Sequence, residues 1–191
     1  MSDSGIVTTG PTSDRPSSDR KARRLRAETD QSHVREKPRE KLSLAAHFMA
    51  GLTRFISGSS VRWIDSQPDT AQRVYFANHT SHLDALVIWA ALPQEVRLIT
   101  RPVAAKDYWD KTRLRRYIAE EVFDALLIDR EHIKVHNSPI KIMLEAIGNH
   151  SSLIVFPEGH RNTADELDEF KSGLYHLSRK RPDLALIPVY I

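Results

Sequence analysis

Residues 138–156, SPIKIMLEAIGNHSSLIVF, decide the fold, because a helix signal leads directly into a strand signal there. Ser138 is a typical helix N-cap, and Pro139 suits the first helical position, where its missing N–H has no intrahelical partner. Apolar residues then recur at helical spacing as far as Gly148. Leu153–Phe156 (LIVF) is a continuous apolar run typical of a buried strand.

The same alternation continues on both sides of this stretch. Strands that alternate with helices indicate an α/β fold with a mostly parallel central sheet, covered by helices on both faces. In such sheets the chemistry gathers in the loops that follow the carboxyl ends of the strands. We predict further strands at Arg73–Ala77, Glu95–Thr100, Ala125–Ile128 and Leu184–Ile191, and helices at Ser81–Ala91, Lys111–Val122 and Glu169–Lys180.

The N-terminal part of the chain has a different composition. Residues 1–40 are rich in Ser, Thr, Pro, Asp and Arg and hold almost no large apolar side chains. Burial there cannot offset the entropy of ordering, so we predict a disordered tail in front of a domain over 41–191.

An amphipathic helix follows this tail and ends near Gly58, because apolar residues recur at helical spacing from Leu42. The pattern favours packing of this helix against the core. The alternative is a membrane-interface helix, with aromatic rings inserted among lipids and basic groups near the headgroups. The rings would be Phe48 and Phe55, and the basic groups Lys41 and Arg54.

The composition excludes several classes of protein. The 191 residues suffice for one domain, and with 40% hydrophobic and 28% charged residues the chain is neither wholly disordered nor a membrane bundle. The absence of cysteine excludes a disulfide scaffold, a cysteine nucleophile and thiolate zinc sites. No apolar run approaches the roughly 20 residues that span a bilayer, and no secretory signal is apparent, so we expect a cytoplasmic location.

The first candidate motif is Asn78–Asp84 (NHTSHLD), between a predicted strand and a predicted helix. If Ser81 caps that helix, the carboxylate of Asp84 can reach back toward a histidine in the preceding loop. A carboxylate bonded to one imidazole nitrogen leaves the other nitrogen free to accept a proton, as in a general base. Taken alone, the segment is more typical of a plain capping box formed by Ser81 and Asp84, with the histidines incidental.

Two more candidates follow predicted strands. Phe156–Asn162 (FPEGHRN) combines a glycine that permits close backbone approach with an arginine suited to phosphate. Arg130 ends the Ile128–Arg130 segment and could reach the same cleft. A plain turn and a surface ion pair are the simpler explanations of these two segments. If the sheet is parallel, however, all three candidates lie at one edge.

The order of these segments resembles the glycerolipid acyltransferases of the lysophosphatidic acid acyltransferase type. That family has an NHxxxxD block, an arginine block near IDR, a block similar to FPEGxxS, and a late proline after a strand. The corresponding segments here lie within residues 60–191. They are Asn78–Asp84, Ala125–Arg130, Phe156–Asn162 and Leu186–Val189.

The chain departs from the family pattern in a few places. His160 stands where Thr or Ser is usual, Asn162 where Ser is common, and Asp124 where Gly often precedes the arginine block. Relatives generally continue beyond the fourth block, which raises the hypothesis that the sequence is truncated at its C-terminal end.

The resemblance implies an acyltransferase with a glycerol-3-phosphate acyltransferase-like fold. His79 would act as the base and Asp84 would orient it, and Arg130, Glu158, Gly159 and Arg161 would bind the acceptor. Glu158 would position Arg161 or bind an acceptor hydroxyl. The implied donor is acyl-CoA or acyl-carrier protein, without cofactor or metal, and the implied acceptor is a lysophospholipid such as 1-acylglycerol 3-phosphate. The implied enzyme lies peripherally on the anionic inner face of the membrane.

Residues Arg97–Arg116 hold seven basic side chains against two acidic ones, which would suit an anionic substrate. A solvated helix face explains the same charges equally well, and the neighbouring Tyr108 and Trp109 could lie at a lipid interface or anchor in the core.

Other functions remain as alternatives. They are a glycerol-3-phosphate or other lysolipid acyltransferase, a catalytically silent lipid-binding protein, and a metal-dependent hydrolase using His79, His82 and Asp84. Nucleic-acid binding is not expected, because the basic residues are not interleaved with an RNA-type aromatic motif.

Overall fold

The computed structural model describes residues 39–129, 138–162 and 167–191, and in these ranges a sheet of five parallel strands forms the centre of the molecule. The spatial order of the strands is β3-β2-β4-β1-β5. The predicted α/β fold with a parallel sheet is confirmed. The strands are β1 (Arg73–Ala77), β2 (Thr100–Ala105), β3 (Leu126–Ile128), β4 (Ser152–Val155) and β5 (Ala185–Val189).

Helices connect the strands and cover the sheet. The helix predicted after Ser138 is present as α6, with the Ser138 hydroxyl accepting from the backbone N–H of Lys141 at 3.3 Å. A π-helical turn over Ile118–Val122 follows α5. The helices are α1 (Leu44–Ser57), α2 (Asp84–Ala91), α3 (Gln94–Ile99), α4 (Lys106–Trp109), α5 (Arg113–Tyr117), α6 (Pro139–Ile147) and α7 (Gly173–Lys180).

The two faces of the sheet bury separate apolar cores. In β1, Tyr75 and Ala77 belong to the core beneath α1 and α2, whereas Val74 packs with α6 and α7 on the opposite face. This alternation follows from the two-residue period of side chains along a strand. The sheet is therefore covered on both faces, as the sequence predicts.

Helix α1 packs on the core through only one narrow face. Ala46 and Ala50 are buried, and Gly58 ends the helix in a left-handed conformation, as expected. Arg54 does not point toward headgroups, because its Nε donates to the backbone oxygen of Ala90 at 2.6 Å, at the end of α2. The expected apolar stripe is buried at its start, but Phe55 on its last turn is exposed.

The strand predicted over Glu95–Thr100 is wrong, because these residues form most of α3 and the strand β2 begins at Thr100. The alternation of Val96 and Leu98 resembles that of a strand, but Val96 and its neighbour Arg97 are both buried, as a short helix permits. Strand β2 is not predicted from the sequence because it contains Pro102, and proline is unusual inside a central strand. This proline lies where the pairing of β2 changes from β4 to β3.

Helix boundaries differ from the predictions in three places. Helix α2 begins at Asp84 rather than Ser81, α7 at Gly173 rather than Glu169, and the helical segment after Lys111 at Arg113. Most of the predicted tail, residues 1–38, lies outside the described residues, and so does Arg130. In the described part of the chain, no helix is both long and apolar enough to cross a bilayer.

Candidate active site

The parallel strands bring two of the candidate motifs together. Because β1 and β4 are neighbours and run in the same direction, the loops that follow them leave the same edge of the sheet. His79 lies in the first loop and Glu158 in the second. Asp129 follows β3 at this edge, but Arg130 is not among the described residues.

His79 and Asp84 form a hydrogen-bonded pair, with 2.9 Å between His79 Nδ1 and Asp84 Oδ2. Asp84 is only 3% exposed, and the same oxygen accepts from the backbone N–H groups of Thr80 and Ser81 at 2.7 and 2.8 Å. A carboxylate fixed in this way favours the tautomer with a proton on Nδ1. The Nε2 lone pair of His79 is then free to accept a proton.

The predicted Ser81 cap is wrong, although the predicted proximity of Asp84 to a histidine is present. Ser81 lies before the helix, and its hydroxyl accepts from the backbone N–H of Leu83 at 3.2 Å. Asp84 is itself the first residue of α2. The N-cap position is occupied by Leu83, whose side chain makes no capping hydrogen bond. The carboxylate of Asp84 thus holds the loop through hydrogen bonds to the backbone of Thr80 and Ser81 and to the ring of His79.

The second loop holds His79 through its main chain. Oε1 of Glu158 accepts from the backbone N–H of His79 at 3.0 Å, and the backbone N–H of Asn162 donates to the oxygen of His79 at 2.7 Å. The ring of Phe156 stacks on the imidazole of His79, with centroids 4.1 Å apart. Three contacts from one loop therefore fix both the backbone and the ring of His79.

Glu158 is 1% exposed, and its Oε2 has no hydrogen-bond partner among the described residues. Among the described residues, the carboxylate of Glu158 bonds to the backbone of His79 and not to Arg161. Glu158 does not line the cavity. Gly159 next to it adopts a φ of 73°, a conformation that favours glycine.

The first residue of the NHxxxxD block has a structural contact of its own. The side-chain amide of Asn78 donates to the backbone oxygen of Ile191 and accepts from its N–H, both at 2.9 Å. This pair extends the β1–β5 ladder beyond Val189, where the late-proline block lies.

Arg161 reaches the first loop, where its guanidinium contacts Nε2 of His82. The ring of His82 stacks on Tyr108, with centroids 4.6 Å apart. Burial lowers the pKa of His82, and the positive charge of Arg161 lowers it further. The neutral imidazole can accept a hydrogen bond from the guanidinium. His82 therefore faces Arg161, whereas His79 faces Asp84.

A cavity of about 700 Å³ opens at this edge of the sheet. This volume lies within the range of small-molecule sites. Its wall combines the imidazole of His79 and basic side chains with an apolar surface from both the sheet and the helices. The basic residues are Lys111, Arg161 and Lys171, and the apolar ones include Val103, Met143 and Leu177.

Most of the basic stretch Arg97–Arg116 has internal partners. Arg97 is buried with its guanidinium 5.4 Å from the ring of Trp89, and Arg101 is buried beside Asp124 at 3.1 Å. Lys106, Arg115 and Arg116 pair with acidic or aromatic neighbours. Lys111 does line the cavity. Most of these positive charges therefore stabilise the fold rather than face the cavity. Tyr108 lies in the cavity wall and not in the core.

Two features of the site had no clear signal in the sequence. Lys171 lies beyond the third motif, inside a segment predicted to be helical, and only its packing beside Gly159 places it at the cavity. The bond from Glu158 to the backbone of His79 joins positions 79 residues apart. Within the described ranges, no three His, Asp or Glu side chains gather as metal ligands, so His79, His82 and Asp84 do not form the ligand set of the hydrolase alternative.

Known proteins resemble this chain in sequence and in fold. Over 158 residues it is 28% identical to the 1-acyl-sn-glycerol-3-phosphate acyltransferase of Limnanthes douglasii, covering 78% of this chain and 51% of that protein. Over 97 residues it is 30% identical to a probable 1-acyl-sn-glycerol-3-phosphate acyltransferase of Mycoplasma pneumoniae, covering 51% of this chain and 36% of that one. The chain spans about half the length of the first of these relatives.

The crystal structure of the 1-acyl-sn-glycerophosphate (LPA) acyltransferase PlsC from Thermotoga maritima shares the fold, with a TM-score of 0.53. The two sequences are 16% identical, and the match covers 71% of this chain and 53% of the other. The family model described as Acyltransferase matches residues 59–191, which include all four motifs and the pair of His79 and Asp84. The chain therefore belongs to the acyltransferase family.

Proposed function

We propose that this protein transfers a fatty acyl group from acyl-CoA or acyl-carrier protein to a hydroxyl of a lysophospholipid, with 1-acylglycerol 3-phosphate as acceptor. The observation that carries this proposal is the hydrogen-bonded pair of His79 and Asp84 at the wall of a cavity that also holds Arg161. The names of the relatives and the family match support the same reaction class.

The reaction follows from this geometry as a direct transfer. Nε2 of His79 takes the proton from the acceptor hydroxyl as its oxygen bonds to the thioester carbonyl carbon. Asp84 holds the ring and stabilises the imidazolium that forms. When the C–S bond breaks, the thiolate of the donor leaves and receives this proton from His79. The products are the acylated acceptor and the free thiol.

The cationic wall of the cavity supports an acceptor that carries phosphate. A guanidinium binds phosphate oxygens through two parallel charge-assisted hydrogen bonds, and Arg161 presents one at the cavity. We assign Arg130 to the same task by its motif, and Gly159 through its backbone. The bond from Glu158 to the backbone of His79 suggests that Glu158 supports binding and chemistry by holding this loop.

The proposal is tested by incubating the full chain with labelled acyl-CoA or acyl-carrier protein and a panel of acceptors. We expect transfer to lysophosphatidate, and we expect Arg161→Gln to raise its KM roughly 10- to 150-fold, the effect of losing a charged hydrogen bond of about 1.5–3 kcal/mol. The kcat should change little. Arg113→Gln is the control, since Arg113 is exposed and does not line the cavity. Transfer to no acceptor at all would contradict the proposal.

We also propose that α1 attaches the protein to a membrane, where the acceptor resides. Leu44, Phe48 and Phe55 project from one face of the helix, and Phe48 and Phe55 are 69% and 86% exposed. Exposed Lys41 precedes this face and would meet anionic headgroups. Such a face is typical of helices that lie in a lipid interface.

Replacing both Phe48 and Phe55 by serine should weaken binding to vesicles of phosphatidylglycerol and phosphatidylcholine at least tenfold, since each phenyl ring contributes about 1.5–3 kcal/mol when buried. Vesicle sedimentation measures this binding. Tyr175→Ser, which removes an exposed ring from α7, should leave it unchanged. Equal binding by the double variant and the unsubstituted protein would rule out α1 as the attachment site.

A further inference from the structure

Lys171 is a basic residue of the cavity that none of the four motifs contains. It lines the cavity together with Gly159 and Arg161. Its backbone N–H donates to the oxygen of Pro157 at 2.9 Å, which attaches its segment to the third motif. The position of Lys171 is therefore set by the same loop that holds His79.

The side chain of Lys171 lies against Gly159, in space that a side chain at position 159 would occupy. A Cβ atom added to Gly159 would lie 2.7 Å from Nζ of Lys171, 3.0 Å from Cδ and 3.1 Å from Cε. The lysine stem thus crosses Gly159 so closely that a side chain at position 159 would require Lys171 to move. The ammonium group is placed beside the backbone of the motif.

This ammonium group has no acidic partner within the described residues. The carboxylate of Asp168 instead lies 2.9 Å from Nε2 of His160. The other basic side chain from this part of the cavity, Arg161, contacts neutral His82. Two cations without acidic partners in the described contacts therefore flank Gly159.

We propose that Lys171 is a phosphate-binding residue that acts together with Arg161 on a substrate of the proposed acyl transfer. A phosphate monoester carries nearly two negative charges at neutral pH, more than one guanidinium can neutralise. A lysine acts on phosphate as a point charge beside the planar arginine. The inference rests on the proposed function. Its ligand is either the acceptor phosphate or a phosphate of the donor nucleotide.

The test compares Lys171→Gln with the unsubstituted full chain in steady-state acyl transfer. Two acceptors, lysophosphatidate and the phosphate-free monoacylglycerol, are combined with two donors, acyl-CoA and the nucleotide-free acyl-pantetheine. We expect KM for the phosphate-bearing substrate to rise tenfold or more, and KM for its phosphate-free counterpart to stay within twofold. The substrate that shows this difference identifies the phosphate that Lys171 binds. Lys171→Arg, which keeps the charge, should restore most of the affinity.

Lys180→Gln is the matched control, because it removes the same charge from the last turn of α7 and Lys180 does not line the cavity. The Lys171 substitution keeps the bond to Pro157, since that bond uses the main chain. A KM change below twofold for all four substrates, or an equal change with and without phosphate, would overturn the role of Lys171 while leaving the proposed function intact.

A readout that needs no catalysis separates the two proposals. Titration calorimetry with glycerol 3-phosphate and, separately, with coenzyme A should show binding to the unsubstituted chain, and for one of these two ligands the binding should weaken tenfold or more in Lys171→Gln. If the chain transfers no acyl group, the proposed function fails and this titration alone decides on Lys171. If the two proteins bound both ligands with equal affinity, the role of Lys171 would be overturned.

Discussion

Replacing His79 by alanine is expected to lower kcat for acyl transfer by about 10² to 10⁴-fold, the range that a positioned general base contributes. The remaining side chains cannot substitute for it. The imidazole of His82 faces Arg161, and Asp84 is buried behind His79. The KM for the acceptor should change little, because we assign the phosphate contacts to other residues. Initial rates with labelled acyl-CoA measure this effect.

His176→Ala is the control for this substitution, since His176 is exposed on α7 and does not line the cavity. Thermal unfolding of the His79 variant should match that of the unsubstituted protein within a few degrees, because the bonds from Glu158 and Asn162 involve the backbone of residue 79 and survive the change. A variant that keeps its full rate would exclude His79 as the base.

Asp84→Asn is expected to lower kcat at least tenfold and up to about 10⁴-fold, the loss seen when the aspartate of a serine protease triad is made neutral. The amide oxygen can still accept from the N–H groups of Thr80 and Ser81, so the loop should keep its shape. What is lost is the negative charge that stabilises the imidazolium of His79. The acceptor KM should again stay nearly constant.

Two further variants separate charge from folding in this experiment. Asp84→Ala removes the acceptor for both backbone N–H groups as well, so it should also destabilise the fold, by about 1–3 kcal/mol for an unpaired group. Asp183→Asn, at an exposed aspartate paired with Arg181, should leave kcat unchanged. If Asp84→Asn lowered affinity for the acceptor but not kcat, Asp84 would serve binding rather than proton transfer.

The sequence predicts the architecture well where the local signals and the packing agree. Helix α6 has its cap, its proline and its closing glycine, and it lies where expected. The prediction for Glu95–Thr100 is wrong because its alternating residues fit a strand, whereas the observed helix buries Arg97 against Trp89. That partner is supplied by tertiary packing, which a pattern of apolar residues does not encode.

The site was predictable in the same uneven way. The parallel sheet explains why the loops containing His79 and Arg161 meet, and the motif explains the bond between His79 and Asp84. The environment of Glu158 was not predictable, because a buried carboxylate bonded to a distant backbone N–H leaves no periodic or motif signal. The placement of Lys171 similarly depends on how a later segment crosses Gly159.

Residues 156–162 hydrogen-bond to the main chain of His79, which has a consequence for redesign. In the proposed function this loop binds the acceptor and also holds the backbone of the catalytic base, so it cannot be exchanged for another in isolation. Grafting a foreign version to change substrate preference would shift the imidazole and slow the chemistry. New specificity in this scaffold should therefore require compensating changes around position 79, so that the two segments evolve as one unit.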